Sequence, residues 1–329
     1  MTALHISEDV QSHIPTTSKG SKDISAAAGS ATPPNLFSQT EPFARLTLYT
    51  GNTMRTGTTG SLNTNQKKSN QELVCAVDET LHSSLANAQV DGTAITIADE
   101  SGLGPLEDNR SKYDITVKMF FLSESGSLRP LSVEQLDAAS QYLRKALGYS
   151  DSSEDLKIDN FVLAIPNQTF DENDLDEAEL EAFSSDVEQL YLPVWKKLSE
   201  WRQSGQIARL GVSEFSKKQL ETLKAISIAT AEKGEPAVAP ELNQVNLSDC
   251  CVLPRDLIDY AKSEGIELLT HGDATNILPK STLTSLLQGP LPATANSPLR
   301  PNFVLKYSVF LRGRGLVTRK GYIVDAISA

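Results

Sequence analysis

Short apolar runs that alternate with amphipathic segments constrain the fold of this chain more than any other feature. Runs typical of buried strands occur at 158–166, 207–213, 242–247 and 266–271. The segments between them place apolar residues at helical spacing. Strands that are buried on both faces and separated by helices require a parallel sheet. We therefore predict an α/β fold, a (β/α)8 barrel of the TIM type, with an open doubly wound sheet as the alternative.

Local helix signals support this interpretation. Ser216 and Gln219 have the spacing of a capping box, which indicates that a helix begins there. Pro193 and Pro254 each stand where a further helix is expected to begin. The doubly wound alternative is disfavoured because no G-x-G-x-x-G pattern follows an early strand.

Composition divides the chain into a tail and one domain. Residues 1–40 are rich in Ser, Thr, Ala, Gly and Pro, and they carry too little apolar surface to offset the entropy of ordering them. We predict a disordered N-terminal tail over 1–40 and a barrel over 41–329.

The net charge of -12 argues against nucleic acid or an anionic membrane as the main partner. Without a long apolar run or a secretory signal, the expected location is the cytosol, that is, cytoplasmic.

The three cysteines, Cys75, Cys250 and Cys251, do not have the spacing of a metal site. We therefore predict neither bound metal nor a disulfide framework. Cys250 and Cys251 adjoin the start of a predicted helix, which lowers a thiol pKa. Three interpretations stay open for this pair: small buried fillers, an intermolecular disulfide to a partner, or a redox sensor.

A dense basic cluster near residue 315 stands out on an acidic chain. It is either a solvated face or a surface that meets an acidic partner, because Arg and aromatic residues are enriched in the cores of interfaces. Tyr307, Phe310 and Tyr322 are interleaved with it. The basic residues are Arg312, Arg314, Arg319 and Lys320.

Three motifs occur in the order typical of the aldo-keto reductases, (β/α) barrels that bind NADPH. The sequence at 211–215, GVSEF, resembles the GxSNF turn of that family. The sequence at 243–247, NQVNL, resembles its NQxE strand, and 158–166 resembles its strand ending in His-x-Pro. The resemblance implies an aldo-keto reductase-like barrel.

Two longer segments, 243–271 and 305–326, closely resemble the regulatory (modifier) subunits of glutamate–cysteine ligase, relatives of the aldo-keto reductases. This resemblance implies a non-catalytic protein that forms a heterodimer with the catalytic subunit of the ligase. It also implies that the protein raises the affinity of that subunit for glutamate and relieves feedback inhibition by glutathione.

The resemblance can be tested against the residues that reduction needs. Lys118 matches the family lysine, but Ala164 stands at the position of the histidine and has no proton to give. The proton-donating tyrosine is missing as well, since no tyrosine lies between Tyr49 and Tyr113. Reduction of a carbonyl needs that acid to neutralise the developing alkoxide. We predict that the chain is not an enzyme; the alternative is an NADPH-dependent reductase of small carbonyls.

Some cofactor contacts are preserved. Ser213 and Gln244 match positions that hold the nicotinamide amide, and His271 stands where the family has a tyrosine that stacks on the ring. Glu214 replaces an asparagine of the motif. We expect no tightly bound cofactor, with weak NADPH binding as the alternative. The simplest role for Lys118 is an ion pair with Glu214 or Asp159, and that for His271 is a hydrogen-bonded loop anchor.

Overall fold

The computed structural model describes most of the chain beyond residue 41, and the described residues belong to one compact unit, Pro33–Ala329. The predicted tail lies outside the described residues, as do Cys250 and Cys251. The described ranges are 42–54, 69–122, 130–149, 156–171, 177–247, 253–274, 276–294 and 297–328.

Strands and helices alternate through the middle of the described chain, and a long hairpin follows them. The strands are β1 (Arg45–Tyr49), β2 (Gln89–Asp91), β3 (Ala94–Ala98), β4 (Tyr113–Phe121), β5 (Ile158–Ala164), β6 (Ile207–Ser213), β7 (Leu242–Asn246), β8 (Glu267–His271), β9 (Leu299–Leu311) and β10 (Leu316–Ser328). The helices are α1 (Ser69–Ser84), α2 (Val133–Ala146), α3 (Glu177–Asp186), α4 (Leu192–Gln203), α5 (Lys217–Glu232), α6 (Arg255–Glu264) and α7 (Lys280–Leu287).

The strands form one sheet in the order β2-β3-β1-β10-β9-β4-β5-β6-β7-β8. Strands β4 to β8 are parallel neighbours, and β1 is parallel to β3. The β9–β10 hairpin lies between these two blocks and pairs antiparallel with both of them. Because three antiparallel pairings separate β1 from β4, strands β1 and β3 run opposite to β4–β8, whereas β2 is antiparallel to β3.

The sheet curls strongly between β4 and β8. Four steps of about 4.8 Å would separate these strands by roughly 19 Å on a flat sheet. Asp273, two residues beyond the end of β8, nevertheless lies 3.0 Å from the Lys118 ammonium of β4. Side chains from β4, β5, β6 and β8 also line one space of only about 20 Å³. The sheet therefore bends toward itself, as the strands of a barrel do.

Helices cover both faces of the sheet. One apolar cluster joins α2, α4, α5 and α6 to the first face, and a second joins α1 and α7 to the other. Strand alternation divides the residues between them: Phe303 and Leu305 of β9 face the first cluster, and Val304 faces the second. In the first cluster the buried indole of Trp195 donates to the carbonyl of Val238 at 2.9 Å.

The predicted α/β class and the parallel strands between helices are confirmed, and so is the capping box of Ser216 and Gln219. The hairpin was not predicted, because 305–326 had been interpreted only through its resemblance to a family. No ladder among the described residues joins β2 to β8, the two edges of the sheet. No helix in the described part of the chain is both long and apolar enough to cross a bilayer.

Candidate functional site

The predicted site residues meet where β4 to β8 end. Lys118, Ala164, Ser213 and His271 line one small space on the curled sheet. The carboxyl ends of parallel strands are where barrel proteins place functional groups. Gln244 lies beside the space and contributes its backbone carbonyl, which accepts a hydrogen bond from the Ser213 hydroxyl at 3.2 Å.

A buried carboxylate, Asp273, holds the centre of this site. One oxygen accepts a hydrogen bond from Lys118 at 3.0 Å, and the other accepts one from Lys306 at 2.5 Å. Burial favours the neutral acid, but attraction by Lys118 and Lys306 outweighs it and holds the pKa of Asp273 well below its usual range. The side chains of Lys118 and Asp273 are only 4% and 2% exposed, so water screens this pair little.

Lys118 forms the expected ion pair with a carboxylate, but the partner is neither of the two residues named; Glu214 lines the same space and attracts Lys118 without forming the ion pair. The ion pair of Lys118 is with Asp273, whereas Asp159 lies away from this site and pairs with Arg110 and Arg312. Sequence motifs did not indicate Asp273 or Lys306, because one follows a strand end and the other belongs to the hairpin. Only the fold brings these two residues next to Lys118.

His271 is held from both sides of its ring. The backbone N–H of Asp273 donates to Nδ1 at 3.0 Å, so the proton of the neutral ring is assigned to Nε2. Nε2 lies 2.5 Å from a carboxylate oxygen of Glu214 and 3.2 Å from the Ser213 hydroxyl. These contacts fit the interpretation of His271 as a loop anchor.

Glu214 adopts a backbone conformation that a glutamate rarely takes. Its φ is 64°, in the left-handed region, where Cβ crowds the following carbonyl. Its N–H donates to the carbonyl of Gln244 at 2.8 Å and so links the ends of β6 and β7. Asparagine, which the resembling motif has at this position, adopts the left-handed region more readily. The turn is thus kept although its favoured residue is not.

We expect Glu214→Asn to raise the free energy of unfolding by about 0.5–1 kcal/mol, because asparagine relieves the left-handed strain. Chemical denaturation measures the change. Glu214→Gln is the matched control, since it removes the charge and keeps the strain. An equal gain in both variants would assign the effect to charge and not to the backbone.

The space between these side chains is very small. Its volume is about 20 Å³, and Phe120, Ala164 and Ile165 form its apolar wall. That is room for about one water molecule, whereas pockets for small ligands usually begin near 300 Å³. The described residues that line it do not include a tyrosine.

The basic cluster divides between different surfaces. Arg319 donates to the carbonyls of Gly104 and Pro105, whereas Lys320 pairs with Glu72 at 2.6 Å. Neighbouring residues of a strand point to opposite faces, so this pair cannot form one strip. The structure therefore separates Arg319 from Lys320.

The hairpin turn carries the other two basic residues. Arg312 binds Asp159 at 2.6 Å with its side chain 54% exposed, and Arg314 is exposed within the turn. Tyr307 and Tyr322, expected to accompany the cluster on a surface, are 1% and 0% exposed and belong to the core. That expectation was wrong, because alternation along the two strands buries both rings.

Comparisons with known proteins agree with this architecture. Residues 95–274 match the model of the Aldo/keto reductase family. The chain is 29% identical to the "Putative glutamate--cysteine ligase regulatory subunit" of Schizosaccharomyces pombe over 294 residues, 85% of this chain and 96% of that one.

Mammalian relatives match over a shorter stretch. The chain is 37% identical over 134 residues to the "Glutamate--cysteine ligase regulatory subunit" of Mus musculus and to that of Homo sapiens. Each alignment covers 41% of this chain and 46% of the relative, so the chain spans about half the length of these mammalian proteins. The resemblance found from the sequence motifs is confirmed. With more than half of its 329 residues matched by the family model, the chain belongs to the aldo/keto reductase family.

Proposed function

We propose that this chain is a non-catalytic regulatory subunit that binds the catalytic subunit of glutamate–cysteine ligase. In this role it raises the affinity of the partner for glutamate and relieves feedback inhibition by glutathione. The names of the relatives support the regulatory role. We also propose a cytosolic location, where a free thiol such as that of Cys75 stays reduced.

The observation that carries the proposal is that the described residues lining the space beside Lys118 include no tyrosine or histidine at the proton-donor positions of a reductase. The Lys118 ammonium has no tyrosine there to support and is bound to Asp273. Ala164 occupies the histidine position and has no proton to donate. With about 20 Å³ between these groups, a carbonyl substrate has no room beside Lys118. These features support a degenerate reductase site.

The residues present do not fit the NADPH that the family implies. Ser213, Gln244 and His271 would contact the nicotinamide, but the Ser213 hydroxyl already donates to the Gln244 carbonyl. The Glu214 carboxylate and the His271 ring contact each other beside it. A nicotinamide ring would need these groups to separate, so we propose that the chain does not bind NADPH tightly.

Regulation by binding has a defined energetic requirement. A regulatory subunit shifts the conformational equilibrium of its partner only if it binds one conformation of the partner more tightly than another. Useful coupling of this kind is about 1–3 kcal/mol, which corresponds to roughly a 5- to 150-fold change in affinity. No chemistry at the Lys118 site is needed for this effect.

We expect the purified chain to lower the apparent KM of the catalytic subunit for glutamate and to raise its inhibition constant for glutathione, each by at least about fivefold. Steady-state ligase kinetics with and without the chain measure both values. Ala164→Ser serves as a control, because it alters the former reductase site and should leave both effects intact.

Unchanged kinetics at saturating chain would remove the regulatory proposal. The rival function, an NADPH-dependent reductase, is tested in parallel by NADPH consumption with a panel of small aldehydes. If the wild-type chain consumes NADPH with these aldehydes and Lys118→Met abolishes that activity, the reductase function is established. The two assays use the same preparation, and circular dichroism verifies that the chain in it is folded, so that a misfolded sample is not mistaken for a negative result.

A further inference from the structure

A groove lies at the end of the sheet opposite to the former reductase site, where β4, β5 and β6 begin. Two adjoining cavities of about 620 and 370 Å³ share Asn109, Arg110 and Tyr149. Both exceed the roughly 300 Å³ typical of small binding pockets. We call this surface the amino-end groove; its larger cavity is also lined by Lys157, Asp159 and Arg312.

The described lining of the amino-end groove carries three cations and two carboxylates, a net charge of +1, on an acidic protein. Arg110, Lys157 and Arg312 line its larger cavity together with one carboxylate, Asp159, whereas the whole chain carries -12. The smaller cavity adds Asp108, which is paired with Lys112 at 2.8 Å. An excess of cations in a concave surface attracts carboxylates and increases their rate of encounter.

Hydrogen bonds hold the wall of the groove in place. Arg110 donates to the backbone carbonyls of Lys157 and Tyr113 and to the Asp159 carboxylate. Arg312 donates to the other oxygen of Asp159 at 2.6 Å from the hairpin turn. The two guanidinium groups are thus fixed on one carboxylate before any partner arrives, which reduces the entropy lost on binding.

We infer that the amino-end groove binds an acidic segment of the protein partner. This inference rests on the proposed function and names the surface that would carry it out. Lys157 and Arg312 supply charges for carboxylates, and half-buried Tyr149 supplies an aromatic surface of the kind enriched in interface cores. Arg314, exposed in the same hairpin turn as Arg312, extends the positive charge beyond the groove.

Lys157 is the best residue to test. Its side chain is exposed and forms no ion pair with the described residues. Arg110 and Arg312, by contrast, neutralise Asp159, and replacing either would disturb the fold. Lys262 of α6 is a matched control, because it is exposed, is also without an ion pair among the described residues, and lies outside the groove.

We expect Lys157→Glu to raise the dissociation constant for the catalytic subunit about three- to tenfold at 50 mM salt, and Arg314→Glu to act in the same direction. The difference from the wild-type chain should shrink at 500 mM salt, because salt screens exposed charges. Lys262→Glu should bind as the wild type does. Biolayer interferometry measures the constants, and circular dichroism verifies the fold of each variant.

The possible results distinguish a failure of the groove inference from a failure of the proposed function. If the wild type binds and activates the ligase while Lys157→Glu and Arg314→Glu bind equally well, the groove is overturned and the function stands. If the wild-type chain does not bind the catalytic subunit, the groove inference and the proposed function are both overturned. If Lys262→Glu weakens binding as much as Lys157→Glu does, the effect belongs to the net charge of the chain and the groove is again overturned.

Discussion

Asp273→Asn is expected to lower the free energy of unfolding by about 3–5 kcal/mol at pH 7, the cost of leaving a buried charge without its partner. The variant keeps the size of the side chain but leaves the 4% exposed ammonium of Lys118 without a counterion. Lys306 loses its partner as well, but its side chain is 19% exposed and reaches water more easily. Urea denaturation at fixed salt measures the change.

The pH dependence of the same pair has a defined sign. The folded-state pKa of Asp273 lies below its usual value, so the native state releases this proton more readily than the unfolded chain does. The stabilisation is therefore fully present above the ordinary carboxylate pKa of about 4 and is lost as the pH falls below it. The difference between wild type and Asp273→Asn should be constant from pH 5 to 8 and shrink toward pH 3.

Two further variants test the assignment of this effect. Lys118→Met combined with Asp273→Asn should recover much of the lost stability, because the unpaired buried cation is then gone. Glu214→Gln removes a carboxylate from the same site, but that side chain is 17% exposed and is not the ion-pair partner of Lys118, so its effect should be far smaller. A loss below 1 kcal/mol in Asp273→Asn would show that the site does not need this charge.

Gly211→Val should also destabilise the protein strongly, by about 3 kcal/mol or more, because it overpacks the approach of β6 to β7. A Cβ atom at Gly211 would lie 2.4 Å from the carbonyl oxygen of Leu242 and 2.8 Å from its Cβ. The first contact is with backbone, which cannot rotate away. The measurement is again the free energy of unfolding.

Ala208→Val is the matched control on the same strand. Ala208 is exposed, so valine adds volume without a clash and suits a strand. We expect its effect to stay within about 0.5 kcal/mol, as for most surface substitutions. Equal losses in the two variants would mean that strand β6 rejects valine anywhere, and the close approach at Gly211 would not be the cause.

Much of the fold could be predicted because local signals and tertiary demands agree in the central units. The capping box of Ser216 and Gln219 begins the helix after GVSEF, and the structure uses it as expected. The hairpin was missed because nothing local in 305–326 shows which strands it will join. Its partners, β1 and β4, are distant in the chain.

The site residues also divide into those that could be predicted from the sequence and those that could not. Lys118, Ala164, Ser213 and His271 came together as expected, because parallel strand ends meet at one edge. Asp273 and Lys306 have no motif, and their importance comes from a contact across the curled sheet. The basic cluster was wrongly treated as one strip, because Arg319 and Lys320 are neighbours on a strand and point to opposite faces, whereas Arg312 and Arg314 are exposed in the hairpin turn.

The position of the β9–β10 hairpin has a consequence for how the protein is made. Arg45 at the start of β1 binds Asp325, 280 residues further along the chain. Until synthesis has passed β10, the β1–β3 block has no strand through which it can join the β4–β8 block. Such long-range pairing slows folding and leaves strand edges open to aggregation meanwhile. The nascent chain therefore carries the β10-facing edge of β1 without its partner until β10 has been made, and such an open edge favours binding by chaperones.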